Sequence, residues 1–325
     1  MIIKFRIGFI GAGLIAGNYM ASLDKLGQRV AAVCDIDPSQ AQKVAAKYGC
    51  PVYQDHKMML KRERLDVVFV AIPPGAHTTQ VADAASSGAA VFSTKPVALD
   101  LETARRTLGA IVEAGVINQV GYMARYSDIT EKARELVGDQ PLALGIGRVF
   151  YRLKEHPWWG KKEISGGQIL EQSTHLFDLF RYFLGEADEA HAYGHTGMAR
   201  EYTDSEDCTV CNIRFVNGAV ASVSSTCCAN ATDYFTAELS GCELYIKLVI
   251  DELLEARVGE VRLEHRCREE GYFRQIEHFL RAVERNDQSM VRSSYEDAAR
   301  TLALTLATNH SLKTGRPEKV MAINS

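Results

Sequence analysis

The sequence predicts an α/β protein in two parts. A doubly wound parallel sheet is expected over residues 1–121, and a second α/β domain with an open, mostly antiparallel sheet over 122–325. Three observations carry this. Apolar strand-like runs alternate with helical stretches up to about Gly121; after Tyr122 the strand-like runs follow one another across short polar turns; and Gly8, Gly11, Gly13 and Gly17 cluster between the first apolar run and the first helix. Alternation calls for a parallel sheet, because parallel neighbours need a long crossover. Short turns join antiparallel neighbours.

In order along the chain, strands are expected at 5–10, 30–34, 66–71, 90–93 and 117–121, with a weaker one near Val52. Between them lie helices such as "PSQAQKVAAKYG", with Pro38 near its start and Gly49 just past its end. The second part opens with a strong helix from about Gly167 to Leu184, then strands at 188–195, 207–216, 219–228, 234–240 and 243–250. Two helices close the chain, "YFRQIEHFLRAVERN" and "SYEDAARTLALTLATNHSLKTG", the second stopped by Gly315. There is no internal repeat and no low-complexity linker.

Composition narrows the function classes. With 325 residues, 46% hydrophobic and 24% charged, the chain falls among globular proteins, and a net charge of −4 leaves no basic surplus for a phosphate backbone. No apolar stretch approaches the roughly 20 residues of a membrane span. Neither nucleic acid nor membrane is an expected partner; a small molecule is. The first apolar run, broken by Lys4 and Arg6, makes a poor signal peptide, so a cytoplasmic location is expected. The eight cysteines are then expected to be thiols. Cys208 and Cys211 lie three apart on a strand, pointing to opposite faces, so no metal is expected there. A two-residue turn at Asn217-Gly218 would set Cys208 opposite Cys227.

Read from Gly11, the cluster is Gly11-Ala12-Gly13-Leu14-Ile15-Ala16, the G-x-G-x-x-G/A form of dinucleotide binding. The first glycine makes the turn, the second admits a pyrophosphate close to backbone, and the third small residue lets helix and strand pack. Asp35, about twenty residues on at the end of the second strand, is placed to accept the ribose hydroxyls. Its carboxylate would repel the 2'-phosphate of NADP, and no Arg or Lys stands at 34–40, so NAD is the expected cofactor.

Two further loops fall at carboxyl ends of parallel strands, where ligands bind in such sheets. They are "AIPPGAH", with Ile72, Pro73 and His77, and "STKPV", in which Pro96 holds Lys95 in an extended backbone at the rim. On the long helix, Glu171, His175, Asp178 and Tyr182 follow the spacing i, i+4, i+7, i+11 and share one stripe. A histidine four residues from a carboxylate suits a general base. The same spacing equally describes a polar stripe facing water.

Taken together, Gly11-Ala-Gly13-Leu-Ile-Ala16, "AIPPGAH", "TKPVA" and "GGQILEQSTHLFDLFRYFLG" resemble the glucose-fructose oxidoreductase / inositol dehydrogenase / MocA family over nearly the whole chain. The resemblance implies an N-terminal Rossmann domain, a closing helix at about 295–315 that packs back on it, and oligomer contacts through the C-terminal sheet. It also implies an NAD-dependent hydride transfer at a secondary alcohol or ketone of a sugar, cyclitol or related polyol. Lys95, His175 and Glu171 would be catalytic, with Glu171 standing where relatives carry aspartate and Thr94 where they carry glutamate. Tyr122 would lie near the cofactor, and Arg125, Gln172 and Asp178 near the substrate. Trp158 and Trp159, on a loop expected to cover the site, offer indole faces to substrate and nicotinamide respectively. Redox-assisted glycoside cleavage and a non-enzymatic cofactor-sensing role are the alternatives within that resemblance.

Overall fold

The computed structural model describes residues 2–154, 156–231 and 234–323. The chain forms two compact units, Met1–Met123 with Tyr272–Ala298, and Ala124–Gly271 with Ala299–Ser325.

The first unit contains six parallel strands, β1 (Ile7–Ile10), β2 (Val30–Cys34), β3 (Val52–Tyr53), β4 (Val67–Val70), β5 (Ala90–Ser93) and β6 (Asn118–Val120). Their order is β3-β2-β1-β4-β5-β6, the doubly wound arrangement with its reversal between β1 and β4. Every one of these strands lies where the apolar runs place it. Four-residue strands buried along their whole length, such as β1 and β4, follow from helices covering both faces. An aromatic ladder crosses the sheet: Phe9 stacks on Phe69 at 4.9 Å and Phe69 on Phe92 at 5.0 Å. Tyr19 and Phe279 close on it from the helices Leu14–Lys25 and Gly271–Arg285. Ile276, Phe279, Leu280 and Ala282 belong to the same core. The segment that returns to this unit is thus Tyr272–Ala298; most of the last helix, Tyr295–Thr314, lies in the second unit.

The second unit is built on a nine-stranded sheet: β7 (Leu142–Phe150), β8 (Ala187–His195), β9 (Cys208–Phe215), β10 (Val220–Thr226), β11 (Phe235–Gly241), β12 (Leu244–Val249), β13 (Leu253–Val258), β14 (Val261–Arg266) and β15 (Glu318–Lys319). The order is β14-β13-β12-β11-β7-β10-β9-β8-β15, antiparallel except where β7 meets β10. Central β7, β13 and the two edge strands β14 and β15 are absent from the expected set. Glycines hide β7, since "LALGIGRVF" reads as a loop. Here they serve close packing: a Cβ at Gly145 or Gly147 would come within about 3 Å of Phe180 on the helix Thr174–Leu184.

Two local expectations are corrected. Cys208 pairs with Thr226, not Cys227, because the turn takes in Val216 as well as Asn217 and Gly218, and this shifts the register by one. The long helix is also not uniform, since Ile169–Ser173 is a π-helix that leads into the α-helix Thr174–Leu184.

Candidate active site

In a parallel sheet all carboxyl ends share one rim, and five strands of the first unit bring candidate residues there. Gly11, Gly13, Leu14 and Ile15 follow β1, and Asp35 follows β2. Ile72, Pro73 and His77 follow β4, Lys95 and Pro96 follow β5, and Tyr122 follows β6.

The glycine turn is shaped for an anion. Gly11 has φ of +97°, and a Cβ on it would lie 2.2 Å from the Ala71 carbonyl oxygen, so no other residue fits. At Gly13 a Cβ would meet nothing within 4 Å. Protein packing therefore does not require that glycine, whereas a ligand approaching the backbone would. Ala16 is fully buried in the core, as the third small position demands. The helix Leu14–Lys25 starts with no side-chain cap and no acid in its first turn, which leaves its N–H groups and positive dipole end to a phosphate. Asp35 is held by two backbone amides: Ala12 donates to Oδ2 at 2.7 Å and Asp37 to Oδ1 at 2.8 Å. These residues fit a dinucleotide's pyrophosphate and ribose.

Beside the turn, the Lys95-Pro96 peptide bond is cis and Pro96 is buried. Thr94 is buried below Lys95, its Oγ1 3.4 Å from the carbonyl oxygens of Val70 and Ile72 and from His77 Nε2. His77 is 6% exposed, and burial depresses its imidazole to about 4, opposed only in part by a hydrogen bond with the Ile72 backbone. It is a neutral strut between β4 and β5. Tyr122 is also buried. Leu14 is exposed, and Ile15, Ile72 and Pro73 are half-buried.

In the second unit the stripe divides. Glu171, Gln172 and His175 are half-buried around the junction of π- and α-helix, a geometry frequent at functional sites. Gln172 Oε1 is buried with no hydrogen-bond partner among the described residues, an acceptor that a ligand hydroxyl would satisfy. Asp178 and Arg125, expected near the substrate, are instead committed to one another. Arg125 Nε and Nη2 donate to Asp178 Oδ2 and Oδ1, both at 2.7 Å, with side-chain exposures of 3% and 1%. Thr301 Oγ1 donates to Asp178 Oδ1 at 3.0 Å, and the Arg125 guanidinium lies 4.9 Å from the Tyr182 ring centre. Thr301, 123 positions from Asp178, has no signal in the sequence that ties it to this buried network.

Trp158 and Trp159 are half-buried. Trp159 packs edge-on against Tyr151 at 5.7 Å and beside Leu153, Ala199 and Cys227, so part of its ring serves the core. Trp158 meets His156 edge-on at 5.0 Å.

Comparison with known proteins places this geometry. A family model described as an oxidoreductase family with NAD-binding Rossmann fold matches residues 5–122, and one described as the GFO/IDH/MocA C-terminal domain matches residues 141–246. The chain is 26% identical to scyllo-inositol 2-dehydrogenase (NAD(+)) of Bacillus subtilis (strain 168), over 97% of this chain and 96% of that protein. It is 26% identical to D-xylose 1-dehydrogenase (NADP(+)) 2 of Haloferax volcanii, over 87% of this chain and 90% of that one. Among solved structures, levoglucosan dehydrogenase in complex with NADH superposes with a TM-score of 0.88 at 19% identity, covering 98% of this chain and 100% of that chain.

Proposed function

Since the chain belongs to the GFO/IDH/MocA family of NAD-binding oxidoreductases, we propose that it interconverts a secondary alcohol and a ketone on a sugar, cyclitol or related polyol, with NAD(H) as the preferred cofactor. The observation that carries this reading is the shared rim: the glycine turn, Asp35 and Lys95 stand at carboxyl ends of parallel strands of one sheet, β1, β2 and β5. Gly11, Gly13 and the helix start would hold the pyrophosphate, and Asp35 the adenosine ribose. The bound nicotinamide supplies the hydride acceptor or donor.

The chain's own groups then manage charge and protons. Lys95 donates to the substrate oxygen and stabilises negative charge as it develops there. His175 takes the hydroxyl proton in oxidation and returns it in reduction. Glu171 orients His175 or accepts a neighbouring hydroxyl, and the unmet Gln172 Oε1 takes another. Trp159 flanks the nicotinamide and Trp158 the substrate. A screen of sugars and cyclitols with NAD and NADP in parallel, followed by nicotinamide absorbance, tests the reading. Turnover of at least one polyol supports it, and no turnover of any in either direction opposes it.

We also propose that copies of the chain associate through the sheet of the second unit. Leu144, Ile146, Val210, Val220 and Tyr245 are exposed on β7, β9, β10 and β12 and lie on the face opposite the helix Thr174–Leu184. Apolar side chains exposed together on one sheet face favour association.

A further inference from the structure

The second unit holds a group of soft ligands that the proposed reaction does not use. A carboxylate oxygen of Asp207 and the sulfurs of Cys208 and Cys228 lie within 4.8 Å of one another, the one such group of three His, Cys, Asp or Glu ligands found among the described residues. The observed register creates it. With Cys208 opposite Thr226, the chain leaving β10 runs back over the start of β9. Cys227 N–H donates to the Asp207 carbonyl at 2.9 Å, and Cys228 Sγ lies 3.8 Å from that same oxygen.

Asp207 is held in place before any ion is considered. Its Oδ2 accepts the backbone N–H groups of Gly197, Met198 and Ala199 at 2.7, 2.5 and 3.0 Å, while Oδ1 lies 3.0 Å from His195 Nδ1. Both cysteines are half-buried, which shields the group yet leaves it a path to solvent. Two sulfur ligands with a carboxylate suit zinc and its congeners and discriminate against magnesium and calcium.

We propose that Asp207, Cys208 and Cys228, with water completing the coordination, form a structural site for a thiophilic divalent cation, zinc being the biological candidate. Binding exchanges the two thiol protons, released to solvent, for two metal–sulfur bonds and needs no oxidant. The cation would fasten the start of β9 to the segment after β10, with the turn 197–199 held to Asp207 by its backbone amides. Cys228 packs in the same small cluster as Trp159, so the site would brace the loop bearing that tryptophan.

The test uses the full chain, stripped of metal under reducing conditions and titrated with cobalt(II), with zinc content of the untreated protein measured by mass spectrometry. One cobalt per chain is expected, with thiolate-to-metal charge-transfer and tetrahedral ligand-field bands and a change in tryptophan fluorescence. Cys208→Ser and Cys228→Ser, checked for folding by circular dichroism, are each expected to lose the bands. The proposal is overturned by folded wild-type protein without bands, or by bands that persist in the double variant. A Cys208–Cys228 disulfide as the purified state also overturns it, since the pair would then be an oxidisable one.

Discussion

Asp35 Oδ2 accepts the backbone N–H of Ala12 at 2.7 Å, so the acid that ends β2 also braces the glycine turn that follows β1. One carboxylate thus braces the turn and, in the proposed function, would also select the ribose. Asp35→Ala is expected to weaken NADH binding by about 10- to 100-fold, the worth of a charge-assisted hydrogen bond. In the wild type, fluorescence titration should show NADH binding more tightly than NADPH. The family resemblance alone does not decide this, since one of the relatives is an NADP(+) enzyme. Tighter binding of NADPH would contradict the Asp35 argument.

Arg125 and Asp178 give a stability test. Both are buried and bidentate, so removing one partner strands the other's charge. Arg125→Met or Asp178→Ala is expected to destabilise the chain by about 3–5 kcal/mol, and the double variant by much less than the sum. Urea unfolding measures this. Variants that keep wild-type stability and lose only substrate affinity would restore the two residues to the substrate.

His77 sets an acid limb. Folded, its imidazole stays neutral down to about 4; unfolded, it protonates below its ordinary value near 6.5. As pH falls between these values the unfolded chain binds a proton that the folded chain does not, so stability falls with pH, by up to roughly 3 kcal/mol, and the contribution levels off below about 4. His77→Gln should flatten that limb in unfolding curves taken from pH 7 to pH 4. An unchanged limb would remove His77 from the account.

How much of this was legible in the sequence follows from how local each signal is. The first sheet was readable strand by strand because its runs are short and alternate with helical stretches. The tight turn at Gly11 and its brace at Asp35 were legible because both are local to one βαβ unit. What stayed hidden depends on distant partners. Gly145 and Gly147 mark a strand only once Phe180 is known to press on them. Asp178 reads as one member of a polar stripe until Arg125 and Thr301 are seen to satisfy it. Adding Val216 to a turn moved Cys208 from Cys227 to Thr226.

Ile146 lies exposed on central β7, opposite Glu238 on one side and Ser222 on the other. Ile146→Glu is expected to shift the protein toward monomer in light scattering coupled to size exclusion, with the fold intact. A wild-type chain that is monomeric at micromolar concentration would contradict association through this sheet.

The central claim is that Lys95 and His175 serve a single chemical step. Its most direct measurement is a double-mutant cycle in kcat on the best substrate of the screen, using Lys95→Met, His175→Asn and the pair. Each single change is expected to cost on the order of 100-fold or more, the pair scarcely more than the worse single change, with NADH affinity nearly preserved. Wild-type rates in either single variant, or losses that multiply cleanly in the pair, would contradict it.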